Sequence, residues 1–133
     1  MGESTRTAEE AATRCGCAVD QIVKSLIFQG AQSGSLYLFL VRGSRRLDLD
    51  KAAAAAGEAL QRADVRLVRE RTGFAIGGVS PIGYDDPVPV FADEGLMAFD
   101  SVWSAAGAHD AVFEAAPGLL IAAAGAIVVD VVE

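Results

Sequence analysis

The apolar positions of the chain fall into short runs with the spacing and composition of β-strands. IVKSLIF (22–28) and LYLFLV (36–41) flank a Gly/Ser-rich turn, which is typical of a β-hairpin. ADVRLV (63–68) leads into Phe74–Ile76, a run with the composition of a strand entering a core. Later strands are predicted at VPVFAD (88–93), SVWSAAG (101–107) and AIVVDVV (126–132), with AVFEAA (111–116) between the last two.

The helix signals lie mostly in the first half of the chain. Thr7 and Glu10 form a capping box, which predicts a helix from Ala8 to about Arg14 that Gly16 ends.

Two further helices are expected. Asp48 or Asp50 caps an alanine-rich helix, KAAAAAGEALQ (51–61), interrupted near Gly57. A short helix over 117–125 has proline in its first turn and glycine at its end. Because helices and strands are segregated along the chain, the predicted class is α+β, with a mixed sheet and flanking helices.

Composition indicates one globular domain over residues 1–133. The chain has 133 residues, of which 52% are hydrophobic, enough to bury a core. No apolar run is long enough to span a bilayer. The polar, acidic start MGESTRTAEE lacks the pattern of a signal peptide. We therefore expect a cytoplasmic protein without a membrane partner.

Charge is divided unevenly along the chain. The net charge is −7, which argues against a general nucleic-acid binder. All eleven Lys and Arg residues nevertheless lie between Arg6 and Arg71. The candidates for a local basic face are Arg42, Arg45, Arg46, Lys51, Arg62, Arg66, Arg69 and Arg71. The alternative to a functional basic face is that these side chains are simply solvated. If the protein binds RNA, we expect Arg45, Arg46 and Lys51 to contact it.

Cysteine and histidine give no familiar catalytic or metal pattern. Cys15 and Cys17 are too close together for an ordinary disulfide and too few for a zinc site, so we interpret them as small apolar residues. His109 is the single histidine, and nothing near it in the sequence suggests a catalytic triad.

Lys24 interrupts a strand that is otherwise apolar. Residues 22, 24, 26 and 28 share one face, so a cation is placed among Ile22, Leu26 and Phe28. One interpretation is that its stem packs and its ammonium reaches the edge of the sheet. The other is a cation held at a cleft and directed at a phosphate or a carbonyl.

The run TGFAIGGVSP (72–81) places bare backbone at the end of a strand. Gly77 and Gly78 carry no side chain, and Ser80-Pro81 ends the run. A bulge or a close backbone approach would explain these glycines structurally. Alternatively, their N–H groups could form an oxyanion or water-holding site.

Together these motifs resemble the YbaK/EbsC family of aminoacyl-tRNA deacylases, which are related to the editing domain of bacterial prolyl-tRNA synthetases. The resemblance runs from about Thr5 to the C-terminus. It is carried by Lys24-Ser25-Leu26, RxLDL (45–49), Thr72-Gly-Phe, GGVSPIG (77–83), Asp93 and Ala106-Gly107.

The resemblance implies a YbaK-like domain that hydrolyses the ester of a mischarged tRNA, expected to be tRNA(Pro), without a metal or other cofactor. It implies a monomer or homodimer and an association with prolyl-tRNA synthetase. It matches Lys24 to the essential lysine of the family, and we expect Lys24, Gly77 and Gly78 to be catalytic. Pro81, Gly107 and His109 match family positions and are expected to bind substrate, together with Phe28, Val79 and Ser80. Ser80 is either a pocket hydroxyl or a turn residue.

Two departures from the family pattern keep an alternative open. Family members carry a further N-terminal segment with a strand that flanks the pocket, and it is missing before Thr5. The segment Tyr84-Asp85-Asp86 is acidic where tRNA would pass. The alternative is a module on the same fold that binds tRNA ends or a protein without turnover.

Overall fold

The computed structural model describes residues 8–72, 88–105 and 112–133. Within them lie four α-helices and seven strands. The helices are α1 (Ala8–Cys15), α2 (Leu49–Ala56), α3 (Val65–Thr72) and α4 (Pro117–Ala124). The strands are β1 (Val23–Gly30), β2 (Leu36–Arg42), β3 (Leu60–Arg62), β4 (Val90–Asp93), β5 (Val102–Ala105), β6 (Val112–Ala115) and β7 (Ile127–Val129). Short 3-10 helices cover Val19–Gln21 and Glu94–Ala98.

The main sheet has five strands in the order β3-β1-β2-β4-β7. The β1–β2 hairpin and the β1–β3 pair are antiparallel, whereas β2–β4 and β4–β7 are parallel. The α+β class and the mixed sheet are therefore confirmed. A second hairpin, β5–β6, joins β1 through a parallel bridge between Ile22 and Trp103.

The two faces of the main sheet bury different sets of side chains. One face contributes Val23, Ile27, Leu38 and Leu40, which pack against residues of α3, α4 and β5. The other face is built around Phe39, whose ring stacks on Phe91 at 5.4 Å between centroids. Alternation along β1 and β2 produces both sets, since successive side chains point to opposite faces.

The alanine-rich helix ends earlier than predicted. Asp48 caps α2 by accepting hydrogen bonds from the amides of Asp50 and Lys51. Gly57 then takes a left-handed conformation, with φ of +87°, and closes the helix. The predicted continuation to Gln61 is wrong, because the chain leaves the helix at Gly57 and pairs with β1 as β3.

The other predicted helices are confirmed at 8–15 and 117–124, with Gly16 and Gly125 in left-handed conformations after their ends. The predicted cap Thr7 and the strand predicted at 74–76 lie outside the described residues. No helix in the described part of the chain is long and apolar enough to cross a membrane.

Candidate active site

Lys24 lies in β1 on the same face as Leu26 and Phe28, and its side chain is half-buried. Its Nζ donates a hydrogen bond to the carbonyl oxygen of Arg45, 2.5 Å away. The stem therefore packs beside the second core set while the ammonium points to the end of β2. Ile22, the expected neighbour on this face, instead packs with Ala12 in a separate cluster.

The Arg45 carbonyl belongs to a tight turn that follows β2. The amide of Arg45 donates to the carbonyl of Arg42 at 3.1 Å, which closes the turn. Asp20, in the 3-10 helix before β1, accepts from both the amide (3.2 Å) and the hydroxyl of Ser44. The Ser44 hydroxyl bond is the largest cause of the lowered pKa of Asp20, and the charges of Arg42 and Arg45 lower it further.

A buried ion pair holds the base of this turn. Asp93, at the carboxyl end of β4, is fully buried and accepts from Arg42 Nε at 2.6 Å. It also accepts from the Arg42 amide at 3.3 Å and the Gly95 amide at 2.9 Å. The bond to Asp93 raises the pKa of Arg42. A Cβ at residue 95 would overlap the Arg42 guanidinium, so glycine is needed for this close approach.

The bridge between Ile22 and Trp103 brings β5 beside the amino end of β1. That bridge lies two residues before Lys24, and β5 ends at Ala105. The sequence that follows β5 contains Gly107 and His109, two of the expected site residues. The described part of the candidate site is therefore the amino end of β1 and the turn after β2, with the end of β5 nearby; Gly107 and His109 stay predictions.

The remaining predicted site residues divide into two groups. Phe28 packs edge-on against Phe39 with 6.1 Å between ring centroids. It is four residues from Lys24, about 13 Å along the strand, so its expected contact with substrate stays a prediction. Seven predicted site residues lie outside the described residues and also stay predictions: Gly77, Gly78, Val79, Ser80, Pro81, Gly107 and His109.

Two buried hydroxyls near this region were not singled out from the sequence. The Oγ atoms of Ser25 and Ser104 are inaccessible and have no hydrogen-bond partner among the described residues. Ser25 lies between Val23 and Ile27 in β1, and Ser104 shares a face of β5 with Val102. A hydroxyl at a core position of an alternating strand is the sequence signal that could have identified them.

Several basic side chains that the structure describes are divided between the two ends of β1 and the start of α2. Arg45 and Arg46 are exposed near Lys24, whereas Arg62 pairs with Phe28 at the other end of β1. Lys51 is engaged by Asp130 at 2.9 Å and by the Val132 carbonyl at 2.9 Å. Arg45 and Arg46 are therefore better placed than Lys51 for an anionic ligand.

An open cavity of about 390 Å³ lies beside the start of α2, lined by Leu47, Asp48, Leu49, Asp50 and Glu133. Its three carboxylates repel phosphate, so it is unsuited to RNA. In the described residues, no group of three His, Cys, Asp or Glu side chains is placed to hold a metal ion.

Cys15 and Cys17 are free and half-buried against the Ala12–Ile22 cluster, in agreement with their interpretation as small apolar residues. Burial raises the pKa of the Cys17 thiol. A raised thiol pKa leaves little reactive thiolate, which argues against a nucleophilic role for this residue.

The described residues form a small α+β domain with a mixed sheet and a lysine hydrogen-bonded at one end of that sheet, and comparison with known proteins identifies its family. The model of the aminoacyl-tRNA editing domain matches residues 2–122. The chain belongs to this family, and the resemblance inferred from the sequence is confirmed. It is an aminoacyl-tRNA deacylase, a hydrolase that edits mischarged tRNA.

Individual relatives agree with this assignment. A crystal structure described as a "putative trans-editing enzyme for prolyl tRNA synthetase" is 50% identical, with a TM-score of 0.91 over 100% of this chain and 83% of that one. EbsC of Enterococcus faecalis, named "Putative Cys-tRNA(Pro)/Cys-tRNA(Cys) deacylase", is 28% identical over 90% of this chain and 73% of its own. The proline–tRNA ligase of Thermosipho melanesiensis is 37% identical over 70% of this chain and 16% of the ligase.

Proposed function

We propose that the substrate is a mischarged tRNA(Pro) and that Lys24 is the cationic group of the active site. Similarity to a trans-editing protein described for prolyl-tRNA synthetase, and to a ligase for proline, supports this choice of tRNA. An association with prolyl-tRNA synthetase and a cytoplasmic location fit the same role.

The observation that carries the role of Lys24 is its oriented ammonium. A lysine ammonium has three donors, and one of them is directed at the Arg45 carbonyl in the turn after β2. Exposed Arg45 and Arg46 lie next to it in the same turn region. A phosphate of the terminal adenosine, or the carbonyl oxygen of the aminoacyl ester, is the ligand that this arrangement suits.

Hydrolysis of the ester needs few polar side chains. Water adds to the ester carbonyl carbon, and the bond from that carbon to the ribose oxygen then breaks. The ribose oxygen takes up a proton, and the amino acid leaves with a free carboxylate. The lysine stabilises negative charge on the carbonyl oxygen or holds the neighbouring phosphate, while backbone N–H groups at Gly77 and Gly78 serve as further donors.

A panel of charged tRNAs tests this function. tRNA(Pro) carrying alanine, cysteine, serine or proline is incubated with the protein, and loss of the ester is measured over time. We expect hydrolysis of at least one mischarged species and little of the proline species. Lys24→Ala should lower the rate by roughly 100-fold or more, as removal of one transition-state donor does in other enzymes.

Lys51→Ala is the matched control, because Lys51 is the other lysine of the chain and its ammonium is already bonded to Asp130 and the Val132 carbonyl, which makes it a weaker candidate for RNA than the sequence suggested. It should keep a rate close to that of the wild type. Equal loss in both variants, or a wild-type rate in Lys24→Ala, would remove Lys24 from the site. Hydrolysis confined to tRNAs other than tRNA(Pro) would contradict the choice of substrate.

A further inference from the structure

One short segment of the chain binds the turn after β2 at two successive residues. Asp20, in the 3-10 helix Val19–Gln21, accepts hydrogen bonds from the amide and the hydroxyl of Ser44. Lys24, four residues later, donates to the carbonyl of Arg45. The carboxylate and the ammonium therefore hold adjacent residues of the same turn.

The turn is covered at Gly43, and the Glu133 amide donates to the Arg46 carbonyl just after it, but the residues between have little cover. Ser44, Arg45 and Arg46 are exposed, so few packing contacts restrain their backbone. Its first residue, Arg42, is tied to buried Asp93, and its last amide returns to the Arg42 carbonyl. Between Arg42 and Arg45, the Asp20 carboxylate accepts the hydrogen bonds of the Ser44 amide and hydroxyl.

The Arg45 carbonyl accepts a hydrogen bond from the Lys24 ammonium and so contributes to its direction. Ser44 directly precedes Arg45, so rotation of the peptide at Ser44 would move the acceptor that Lys24 uses. A carboxylate that accepts both the amide and the hydroxyl of one serine opposes such rotation, and charge strengthens both bonds.

We propose that Asp20 is a positioning residue for the active site: it fixes the turn at Ser44 and thereby holds the Arg45 carbonyl where it orients Lys24. This role rests on the proposed function, because Lys24 is the group that Asp20 positions. In this role Asp20 acts through Ser44 and the turn, and not by contact with the reacting atoms.

Substitutions at Asp20 separate positioning from charge. Asp20→Ala removes the acceptor and frees the turn. Asp20→Asn keeps an oxygen that can accept from both Ser44 donors, so it should preserve the position of the turn. Ser44→Ala removes the hydroxyl bond and keeps the amide bond, so its effect should be intermediate.

The rate at which an N-hydroxysuccinimide ester acylates each lysine reports whether Lys24 is held in place. This measurement requires no tRNA. The neutral amine attacks the carbonyl carbon of the ester, N-hydroxysuccinimide leaves, and the nitrogen loses a proton to give the amide. A bond from the ammonium to a carbonyl favours the charged form, so release of Lys24 should speed its acylation. Lys51, held by Asp130 and by the Val132 carbonyl and bonded to neither Asp20 nor Ser44, serves as the internal reference. Mass spectrometry of the folded protein gives the ratio of the two rates.

We expect Asp20→Ala to raise the Lys24-to-Lys51 ratio roughly threefold or more, as loss of hydrogen bonds to a charged group implies. Asp20→Asn should restore the wild-type ratio, and kcat for deacylation should fall and recover in the same order. An unchanged ratio in Asp20→Ala, or an equal rise in Asp20→Asn, would overturn the role of Asp20.

Should Asp20→Ala not fold, Ser44→Ala decides alone, because an exposed serine can be replaced without loss of the core. An unchanged ratio in that variant would overturn the role. The labelling result is independent of catalysis: a wild-type deacylation rate in Lys24→Ala would reject the proposed function while leaving the labelling result intact.

Discussion

Asp93 shows how one buried side chain can hold two elements together. Its carboxylate has no exposure and accepts bonds from Arg42 Nε, the Arg42 amide and the Gly95 amide. These donors come from the end of β2 and from the 3-10 helix after β4. Each would be left without its acceptor if the carboxylate were removed, and an unsatisfied buried donor is costly.

We expect Asp93→Ala to lower the free energy of unfolding by about 2–3 kcal/mol. Breaking a fully buried ion pair typically costs about 3–5 kcal/mol, and the 19% exposure of the Arg42 side chain reduces that figure. Urea unfolding, followed by circular dichroism, measures the change. Asp100→Ala, which alters an exposed aspartate, is the control; equal midpoints for both variants would show that the pair is not stabilising.

At the scale of elements, the β1–β2 hairpin depends on a residue outside it. Glu58 follows α2 and accepts from the amides of Gln32 and Ser33, the Ser33 hydroxyl and the Tyr37 hydroxyl. These bonds, led by that of the Ser33 hydroxyl, lower the pKa of Glu58 from 4.5 to about 2. The same carboxylate lies against Gly30, where a Cβ would overlap it.

The lowered pKa predicts a defined pH dependence. Because the folded protein binds the Glu58 proton less tightly than the unfolded chain, the stabilisation is fully present above pH 4.5. It is lost as the pH falls from about 4.5 to about 2. Glu58→Gln should therefore melt at a lower temperature than the wild type at pH 7, and the two should converge toward pH 2.

Thermal melts at several pH values measure this difference. Ser101→Ala, which removes a hydroxyl bonded to exposed Glu114 and leaves the hairpin intact, is the control. If the difference in melting temperature between wild type and Glu58→Gln stayed constant from pH 7 to pH 2, Glu58 would not stabilise the fold through its charge.

At the scale of the whole molecule, residues 131–133 form backbone hydrogen bonds with the segment between β2 and α2. The Asp48 amide donates to the Val131 carbonyl at 2.8 Å, and the Glu133 amide donates to the Arg46 carbonyl at 3.0 Å. Val131 and Val132 are buried in the second core set. Lys51 adds an exposed ion pair with Asp130, whose pKa is lowered by that lysine.

The contributions of a buried apolar side chain, Val131, and of an exposed ion pair, Lys51–Asp130, to stability can be compared directly here. We expect Val131→Ala to lower the free energy of unfolding by about 2 kcal/mol, through lost burial and the cavity that remains. Lys51→Ala should have a much smaller effect, because exposed ion pairs contribute little. Denaturant midpoints for both variants check the ranking. A larger loss in Lys51→Ala than in Val131→Ala would contradict it.

Local pattern was sufficient to predict much of this fold. Alternation of apolar residues predicted β1, β2, β4, β5 and β7, since the side-chain period of a strand is visible in the sequence alone. Asp48, Gly16, Pro117 and Gly125 marked helix ends through backbone preferences that act within a few residues. The interruption near Gly57 was also visible, although the strand that follows it was not. Lys24 stood out because a cation in an apolar strand is unusual.

Tertiary structure decided the features that depend on residues distant along the chain. After Gly57 ended α2, Leu60–Arg62 became a strand because β1 offered backbone partners at Phe28–Gly30, which no local preference encodes. The partners of Lys24, Asp20 and Asp93 lie 21, 24 and 51 residues away. The sequence by itself determined the class of fold and the unusual lysine. Only the tertiary structure, by bringing the turn after β2 against the segment before β1, decided where that lysine points.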